Sequence, residues 1–175
     1  MSMYAEKNQL VALPEFEAMA KNEQLNYELI DGVVLMSPRP SKTHQRISKR
    51  LVKLLDDALT TPCEALQEVE LILKDTVLIP DLLVTCDNEQ EEKNQTTPPL
   101  IVMEIISPTS ASRDHIIKRR KYEELGIKEY WIISPEEKCV TVFDFTANRH
   151  EMYCEGQVSS FVLPAVQIVL EDIFA

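Results

Sequence analysis

Two acidic residues inside strongly apolar segments are the part of this sequence best suited to chemistry. Asp81 follows Pro80 within the apolar residues 77–84, and Glu104 lies at the centre of the apolar residues 100–106. Each segment predicts a strand buried in a sheet, where a lone ionised carboxylate is strongly unfavourable unless something neutralises it. Two such carboxylates on neighbouring strands therefore indicate a shared cation, and Mg²⁺ prefers oxygen ligands of this kind. The alternative is that one side chain faces solvent, where a single carboxylate is harmless.

A cation beside a phosphodiester needs a further group that positions water and balances the phosphate charge, and lysine commonly does so. The residue two positions after Glu104, on the same face of its strand, is Ile106, which cannot serve. The nearest lysines, Lys118 and Lys121, lie on the helix predicted to follow. Asp114 precedes Lys118 by one helical turn, so an ordinary ion pair on a solvated helix is the alternative for this lysine.

The basic residues are concentrated although the chain is acidic as a whole. The formal net charge of −11 argues against wholesale binding of polyanions. Residues 38–53 nevertheless carry six of the 18 Lys and Arg residues, and residues 113–121 carry five. If these two segments flank the acidic pair, they form a local positive rim that can hold a polyanion. The alternative is that both are simply solvated helix faces.

Composition and cysteine spacing bound the class of protein. The 175 residues, of which 45% are hydrophobic, predict a single domain over residues 1–175. The four cysteines show no metal-ligand spacing, which predicts reduced thiols and a cytoplasmic protein. No apolar segment approaches the roughly 18 residues that cross a bilayer, so no membrane partner is expected. The cysteines are Cys63, Cys86, Cys139 and Cys154.

Apolar periodicity and turn residues predict a mixed α/β sandwich around one sheet. Asp31-Gly32 between two apolar segments predicts a β-hairpin, because glycine accepts the positive φ that such turns require. The strand–helix–strand unit over residues 100–133 is short enough to be a right-handed parallel crossover. In chain order we expect a helix at 14–20, the hairpin at 27–36, a helix at 42–60, strands at 64–74 and 77–86, a surface loop at 87–99, a strand at 100–106, a helix at 112–125, strands at 129–134, 139–145, 150–154 and 158–162, and a closing strand or helical turn from residue 166.

A series of short motifs resembles one known family. The motifs are Tyr-Glu-Leu-Ile-Asp-Gly at 27–32, His44-Gln45 at the start of a helix, Pro80-Asp81, Glu-Ile-Ile-Ser-Pro-Thr at 104–109, the residues Asp114, Lys118 and Tyr122, and Gly-Ile-Lys-Glu-Tyr-Trp at 126–131. In this order and spacing they resemble the Uma family of restriction-type endonucleases, within the PD-(D/E)XK nuclease superfamily. The resemblance covers about residues 10 to 172, and the motifs are specific together although each is weak alone.

The resemblance implies a restriction-endonuclease-like core, with a central mixed sheet flanked by helices and extra antiparallel strands near the C-terminus. It also implies Mg²⁺- or Mn²⁺-dependent hydrolysis of nucleic acid, with Asp81 and Glu104 as metal ligands. Glu28 matches an early glutamate of the family that completes the metal shell. In this family the lysine position on the strand is apolar, as Ile106 is here, and the matching residue on the next helix is Lys118.

The expected substrate-binding residues are His44, Arg46 and Lys121. His44 matches a family histidine that could orient substrate, and the alternative is a local hydrogen bond at the start of its helix. Glu70 lies where family members often carry an acid. Tyr122 could hydrogen-bond within the site, although packing on the sheet is expected.

These observations favour a metal-dependent endonuclease that cleaves DNA rather than RNA and acts as a homodimer. The main alternative is a catalytically silent protein that keeps the nuclease fold and binds nucleic acid or another protein. A metal-dependent hydrolase of small phosphoesters is a third possibility. The three differ in whether the acidic pair binds metal and in what is then cleaved.

Overall fold

The computed structural model describes residues 10–19, 21–22, 24–86, 94–106 and 113–175, without the side chains of 113–115. Most of the predicted loop at 87–99 and the predicted start of a helix at 112 lie outside these residues. The elements are α1 (Leu13–Ala18), β1 (Leu25–Ile30), β2 (Val33–Pro38), α2 (Lys42–Ala58), β3 (Glu64–Gln67), β4 (Leu71–Leu73), β5 (Thr76–Leu78), β6 (Leu82–Thr85), β7 (Ile101–Ile105), α3 (Arg113–Glu124), β8 (Glu129–Ser134), β9 (Cys139–Asp144), β10 (Arg149–Tyr153), β11 (Gln157–Ser159), β12 (Gln167–Val169) and α4 (Leu170–Phe174).

The strands form a mixed six-stranded sheet in the order β10-β9-β8-β7-β6-β3 and a four-stranded sheet in the order β2-β1-β5-β4. Strands β11 and β12 pair separately. Strands β7 and β8 are parallel and are joined through α3, which confirms the parallel pairing of the predicted crossover, while its right-handedness stays a prediction. The mixed α/β class is confirmed, but the expectation of one sheet is wrong. Strands β4 and β5 pair with each other and with the β1–β2 hairpin instead of extending the larger sheet.

Two segments predicted as continuous strands are each broken by a residue that cannot continue the ladder. Residues 64–74 split into β3 and β4 at Glu68, whose φ of 51° is left-handed. Residues 77–86 split into β5 and β6 at Pro80, which has no N–H to donate. Asp81 therefore lies in the break before β6 and not inside a strand, and its carbonyl accepts from the backbone N–H of Glu68 at 3.2 Å.

The Asp31-Gly32 turn behaves as predicted, and residues at the ends of both long helices act as caps. Asp31 and Gly32 have φ of 51° and 75°, the pair of positive angles that lets a two-residue turn join β1 and β2. Ser41 caps α2 by accepting from the backbone N–H of His44 at 3.3 Å. Gly126, with φ of 89°, follows the end of α3. These signals fix where the hairpin and both long helices begin or end.

Helices α2 and α3 cover opposite faces of the six-stranded sheet. Ile47 and Leu51 of α2 belong to the core that contains Met103 of β7. Tyr122 of α3 belongs to the core that contains Val102, the neighbour of Met103 in sequence. Alternate residues of β7 thus face different helices, so Glu104 shares the α3 face with Val102. In the described part of the chain, no helix is long and apolar enough to span a bilayer.

All four cysteines are paired, so the prediction of reduced thiols is wrong. Cys63–Cys86 continues the antiparallel register of β3 and β6 by one residue pair, and Cys139–Cys154 does the same for β9 and β10. Residues directly opposite on neighbouring strands are close enough for a disulfide. Linear spacing could not show this, because the pairing depends on strand register.

The paired cysteines can be counted chemically. Protein purified without reductant and unfolded in denaturant is expected to show no free thiol with a thiol-reactive dye, and four after reduction, as the four cysteines form two disulfides. Four reactive thiols before reduction would contradict the pairing.

A fully buried glutamate anchors the segment that follows β11. Glu129 has 0% exposure, and its Oε2 accepts from the backbone N–H groups of Phe161 at 2.6 Å and Val162 at 3.1 Å. Its Oε1 accepts from the indole N–H of Trp131 at 2.6 Å. Burial raises the pKa of Glu129, and these donors oppose that rise.

Replacing this anchor should be costly. Glu129→Ala leaves three N–H donors without their acceptor, and we expect the free energy of unfolding to fall by about 3 kcal/mol in urea denaturation. Glu136→Ala, at an exposed glutamate in the β8–β9 turn, is the matched control and should leave stability unchanged. Equal stability of the two variants would show that Glu129 is not an anchor.

Candidate active site

The structure brings five sequence-predicted residues together where the two main sheets and two helices meet. Glu28 comes from β1, Asp81 from the break before β6, and Glu104 from β7. His44 lies in the first turn of α2, and Lys118 lies on α3. Glu28 and Glu104 are each only 6% exposed. Ion pairs join Glu28, Lys118 and Glu104, while His44 and Asp81 form a second pair. The backbone N–H of Ile105, next to Glu104, links Asp81 to β7.

Lys118 lies between two of the carboxylates. Its Nζ is 2.9 Å from Oε1 of Glu28 and 3.1 Å from Oε1 of Glu104. The Asp114 side chain, its alternative partner, lies outside the described residues. Burial lowers the pKa of Lys118, but the charges of Glu104 and Glu28 outweigh it and raise the pKa overall, so the amine stays protonated. One ammonium between two carboxylates leaves an excess negative charge, and burial raises the pKa of Glu28 above its usual value.

Tyr122 both packs on the sheet, as predicted, and reaches the site. Its ring centroid is 5.2 Å from that of Tyr130, and its hydroxyl donates to Oε1 of Glu104 at 2.7 Å. Burial raises the pKa of Tyr122 well above its usual value, and the Glu104 charge adds to this, so the phenol remains a neutral donor. The four-residue step from Lys118 to Tyr122 on α3 is the sequence signal for this second contact.

His44 contacts the remaining carboxylate. Its Nε2 donates to Oδ2 of Asp81 at 2.9 Å, and the same oxygen accepts from the backbone N–H of Ile105 at 2.6 Å. Burial lowers the pKa of His44, but the hydrogen bond and charge of Asp81 raise it overall. The ring thus bonds across the fold, and the predicted local alternative is not what the structure shows. His44 Nδ1 is buried and has no hydrogen-bond partner in the described part of the chain.

Two backbone amides belong to the site and were missed in the sequence. The N–H of Ile79 donates to Oε1 of Glu28 at 2.9 Å, and the N–H of Ile105 fixes Asp81 as described. A backbone donor has no residue-type signature, so no sequence signal could have found either. Glu70, by contrast, makes no side-chain hydrogen bond or ion pair with any described residue.

A family model described as "Uma2: Putative restriction endonuclease" matches residues 13–171 of this chain. The chain belongs to the Uma2 family. It is also similar to the crystal structure of a putative nuclease belonging to DUF820 from Anabaena variabilis ATCC 29413, with a TM-score of 0.78 and 22% identity. That likeness covers 94% of this chain and 97% of the other, and it confirms the expected fold. A search of curated proteins gave no match.

The two cations predicted to bind substrate lie in different settings in this Uma2 chain. Lys121 is already paired: its Nζ is 2.5 Å from Oδ1 of Asp31 at the hairpin turn and 3.0 Å from Oε2 of Glu124. These contacts tie the β1–β2 hairpin to α3. Arg46 is exposed on α2 and makes no ion pair with a described residue.

The carboxylates of the Uma2 site suit a divalent cation, although among the described residues no three acidic, histidine or cysteine groups are already arranged as a metal cluster. Each carboxylate engages the protein through one oxygen: Oε1 of Glu28, Oδ2 of Asp81 and Oε1 of Glu104. The second oxygen of each makes no hydrogen bond or ion pair with a described residue. Oxygen donors of this kind are what Mg²⁺ takes, together with water and substrate phosphate.

Removing the ammonium tests the electrostatics of this site. Lys118→Met should lower the free energy of unfolding at neutral pH by about 3 kcal/mol, because two buried carboxylates lose their cation. Part of this loss should be recovered toward pH 5. The pKa of Glu28 in the folded state is raised by burial above its usual value of 4.5, and loss of the ammonium raises it further, so the folded variant binds more protons and its stability falls as the pH rises.

Urea denaturation across this pH range measures the effect. Lys121→Met is the matched control, since it removes a lysine from the same helix whose partner Asp31 is 71% exposed. We expect a much smaller and nearly pH-independent loss there. A Lys118→Met loss equal to the control, or one that grows toward pH 5, would contradict the buried ion-pair triad.

Proposed function

We propose that this Uma2 chain is a metal-dependent endonuclease that hydrolyses phosphodiester bonds in DNA. One observation carries the proposal. Glu28, Asp81 and Glu104 come from three separate segments, and each leaves one carboxylate oxygen without a described protein partner. A fold that only needed stability would gain little from three acids in one place, since burying a charge is costly. A site that takes up Mg²⁺ or Mn²⁺ gives all three a role.

Asp81, Glu104 and Glu28 would hold the metal. When bound, it supplies neutralisation of phosphate charge and lowers the pKa of bound water. In the proposed hydrolysis, water would attack phosphorus and give up a proton to the solvent, the bond from phosphorus to the leaving oxygen would break, and the leaving oxygen would take up a proton from the solvent. Lys118 has a raised pKa, so it acts as a fixed positive charge that positions the water and stabilises the phosphate, and not as a general base.

The surrounding residues hold this arrangement in place. Tyr122 keeps Glu104 in position through its hydroxyl, and His44 with the Ile105 amide does the same for Asp81. His44 would also lie beside the substrate phosphate. Arg46 would bind the nucleic-acid backbone, and Lys121 would do so in exchange for its exposed partner Asp31.

Assembly and location follow from the proposed substrate. Cleavage of both strands of a duplex needs two sites, so we propose a homodimer in which residues 1–175 of each subunit act as one domain. We propose a cytoplasmic location, where a DNA substrate would be available. Disulfides are uncommon in cytosolic proteins, so the two cross-links weigh against this location.

The second candidate function is a catalytically silent nuclease-fold protein that binds nucleic acid or another protein. One observation favours it: Lys118 already pairs with Glu28 and Glu104, so these two acids are compensated without any metal. Calorimetric titration with Mn²⁺ separates the two functions, because the silent protein should show no binding that depends on Asp81 and Glu104.

The decisive test of cleavage uses isosteric neutral variants. Asp81→Asn and Glu104→Gln should each reduce Mg²⁺- or Mn²⁺-dependent nicking of plasmid DNA at least about 100-fold, because each removes a metal ligand. Glu124→Gln, at an acidic residue of α3 outside the site, is the control and should cut like the wild type. Equal nicking by all four proteins would sink the proposal.

A further inference from the structure

A concave feature shares helix α2 with the candidate active site. A partly open cavity of about 300 Å³ lies between α2, the β8–β9 turn and α4. Arg46 and Arg50 reach it from successive turns of α2, and Lys138 reaches it from the β8–β9 turn. It is lined by Thr43, Arg46, Ile47, Arg50, Pro135, Lys138, Phe174 and Ala175.

The three cations of this cavity, Arg46, Arg50 and Lys138, make no ion pair with any residue that the structure describes. Arg50 is partly fixed, since its Nη1 donates to the carbonyl of Ile173 at 3.4 Å. On a chain with a net charge of −11, three cations around one cavity, without an acidic partner among the described residues, favour the binding of an anion there.

The remaining lining is mostly apolar and suits more than a bare anion. Ile47 lies at the buried side, Pro135, Phe174 and Ala175 add further apolar surface, and Thr43 adds one hydroxyl. The volume is at the lower end of the range for small-ligand sites, which combine apolar walls with a few polar groups. Cations that bind a phosphate beside walls that accept a sugar or base match one nucleotide.

One residue of the cavity is adjacent in sequence to a residue of the candidate active site. Thr43 precedes His44, whose ring contacts Asp81 on a neighbouring face of the same helix. A strand whose scissile phosphate lies at Asp81 and Glu104 would therefore pass the cavity along α2.

Given the proposed nuclease function, we propose that this cavity binds one nucleotide of the substrate strand beside the cleavage site. Its phosphate lies on Arg46, Arg50 and Lys138, and its sugar or base lies against Phe174 and Pro135. The cavity would bind the strand without any metal.

Binding of a short fluorescein-labelled single-stranded DNA in EDTA tests this without any cleavage. Arg46→Gln and Lys138→Gln should each weaken binding about tenfold and lower the slope of log Kd against log salt by about one. The double variant should weaken binding by clearly less than the product of the two single fold-changes, because both side chains hold the same phosphate. Lys49→Gln, at an exposed lysine of α2 outside the cavity, should change binding far less.

A cavity-filling variant separates a built site from surface charge. Thr43→Tyr keeps every cation but fills the cavity, so it should weaken binding as much as Arg46→Gln does. Wild-type affinity of Thr43→Tyr, or an equal effect of Lys49→Gln, would overturn the proposal. The urea denaturation midpoint of Thr43→Tyr should equal that of the wild type, which checks that the variant folds.

Competition identifies the ligand. A deoxynucleoside monophosphate should displace the labelled DNA at lower concentration than inorganic phosphate, because the walls contribute. Equal competition would overturn the nucleotide assignment in favour of a bare phosphate site. If DNA binding depends on the cavity but the protein does not cleave DNA in Mg²⁺, only the nuclease proposal is refuted. If the protein cleaves DNA but the cavity variants bind DNA as tightly as the wild type, only the nucleotide-site proposal is refuted.

Discussion

The ion-pair triad of Glu28, Lys118 and Glu104 is the constraint on which the rest of the site depends. Each member comes from a different element, so the triad joins β1 of the smaller sheet, β7 of the larger sheet and α3. A buried charge without its partner is strongly destabilising, so a displacement of one of these elements that separates the ion pairs would destabilise the fold. The same electrostatics that hold the fold together also concentrate carboxylate oxygens at one point.

That arrangement sets a balance between stability and chemistry. In the described structure the carboxylates are compensated by Lys118, His44 and two backbone amides. A divalent cation would compete with the ammonium for the same negative charge. Under the proposed metal-dependent activity, the site would be stable without metal and active with metal, without unfolding between the two forms.

The sequence was sufficient for residues whose role is local or carried by a motif. Helical steps placed Lys118 and Tyr122 on one face, and Asp31-Gly32 fixed the hairpin that carries Glu28. It was insufficient wherever the outcome depends on register or on the backbone. Pro80 was visible, but apolar continuity outweighed it, and Asp81 was placed inside a strand that in fact begins after it. The Ile79 and Ile105 amides have no sequence signature, and the cysteine pairs appear only once strand register is known.

The two disulfides have a consequence for how the large sheet opens. Its outermost strands are β3 and β10, and each is covalently joined to its inner neighbour, β6 or β9. Edge strands are ordinarily the first part of a sheet to fray, since they have a hydrogen-bonding partner on one side only. Because both edge strands are cross-linked to their neighbours, we expect local unfolding to begin in the loops and not at the edges of this sheet. The central parallel strands, which carry Glu104, are thereby protected from fraying.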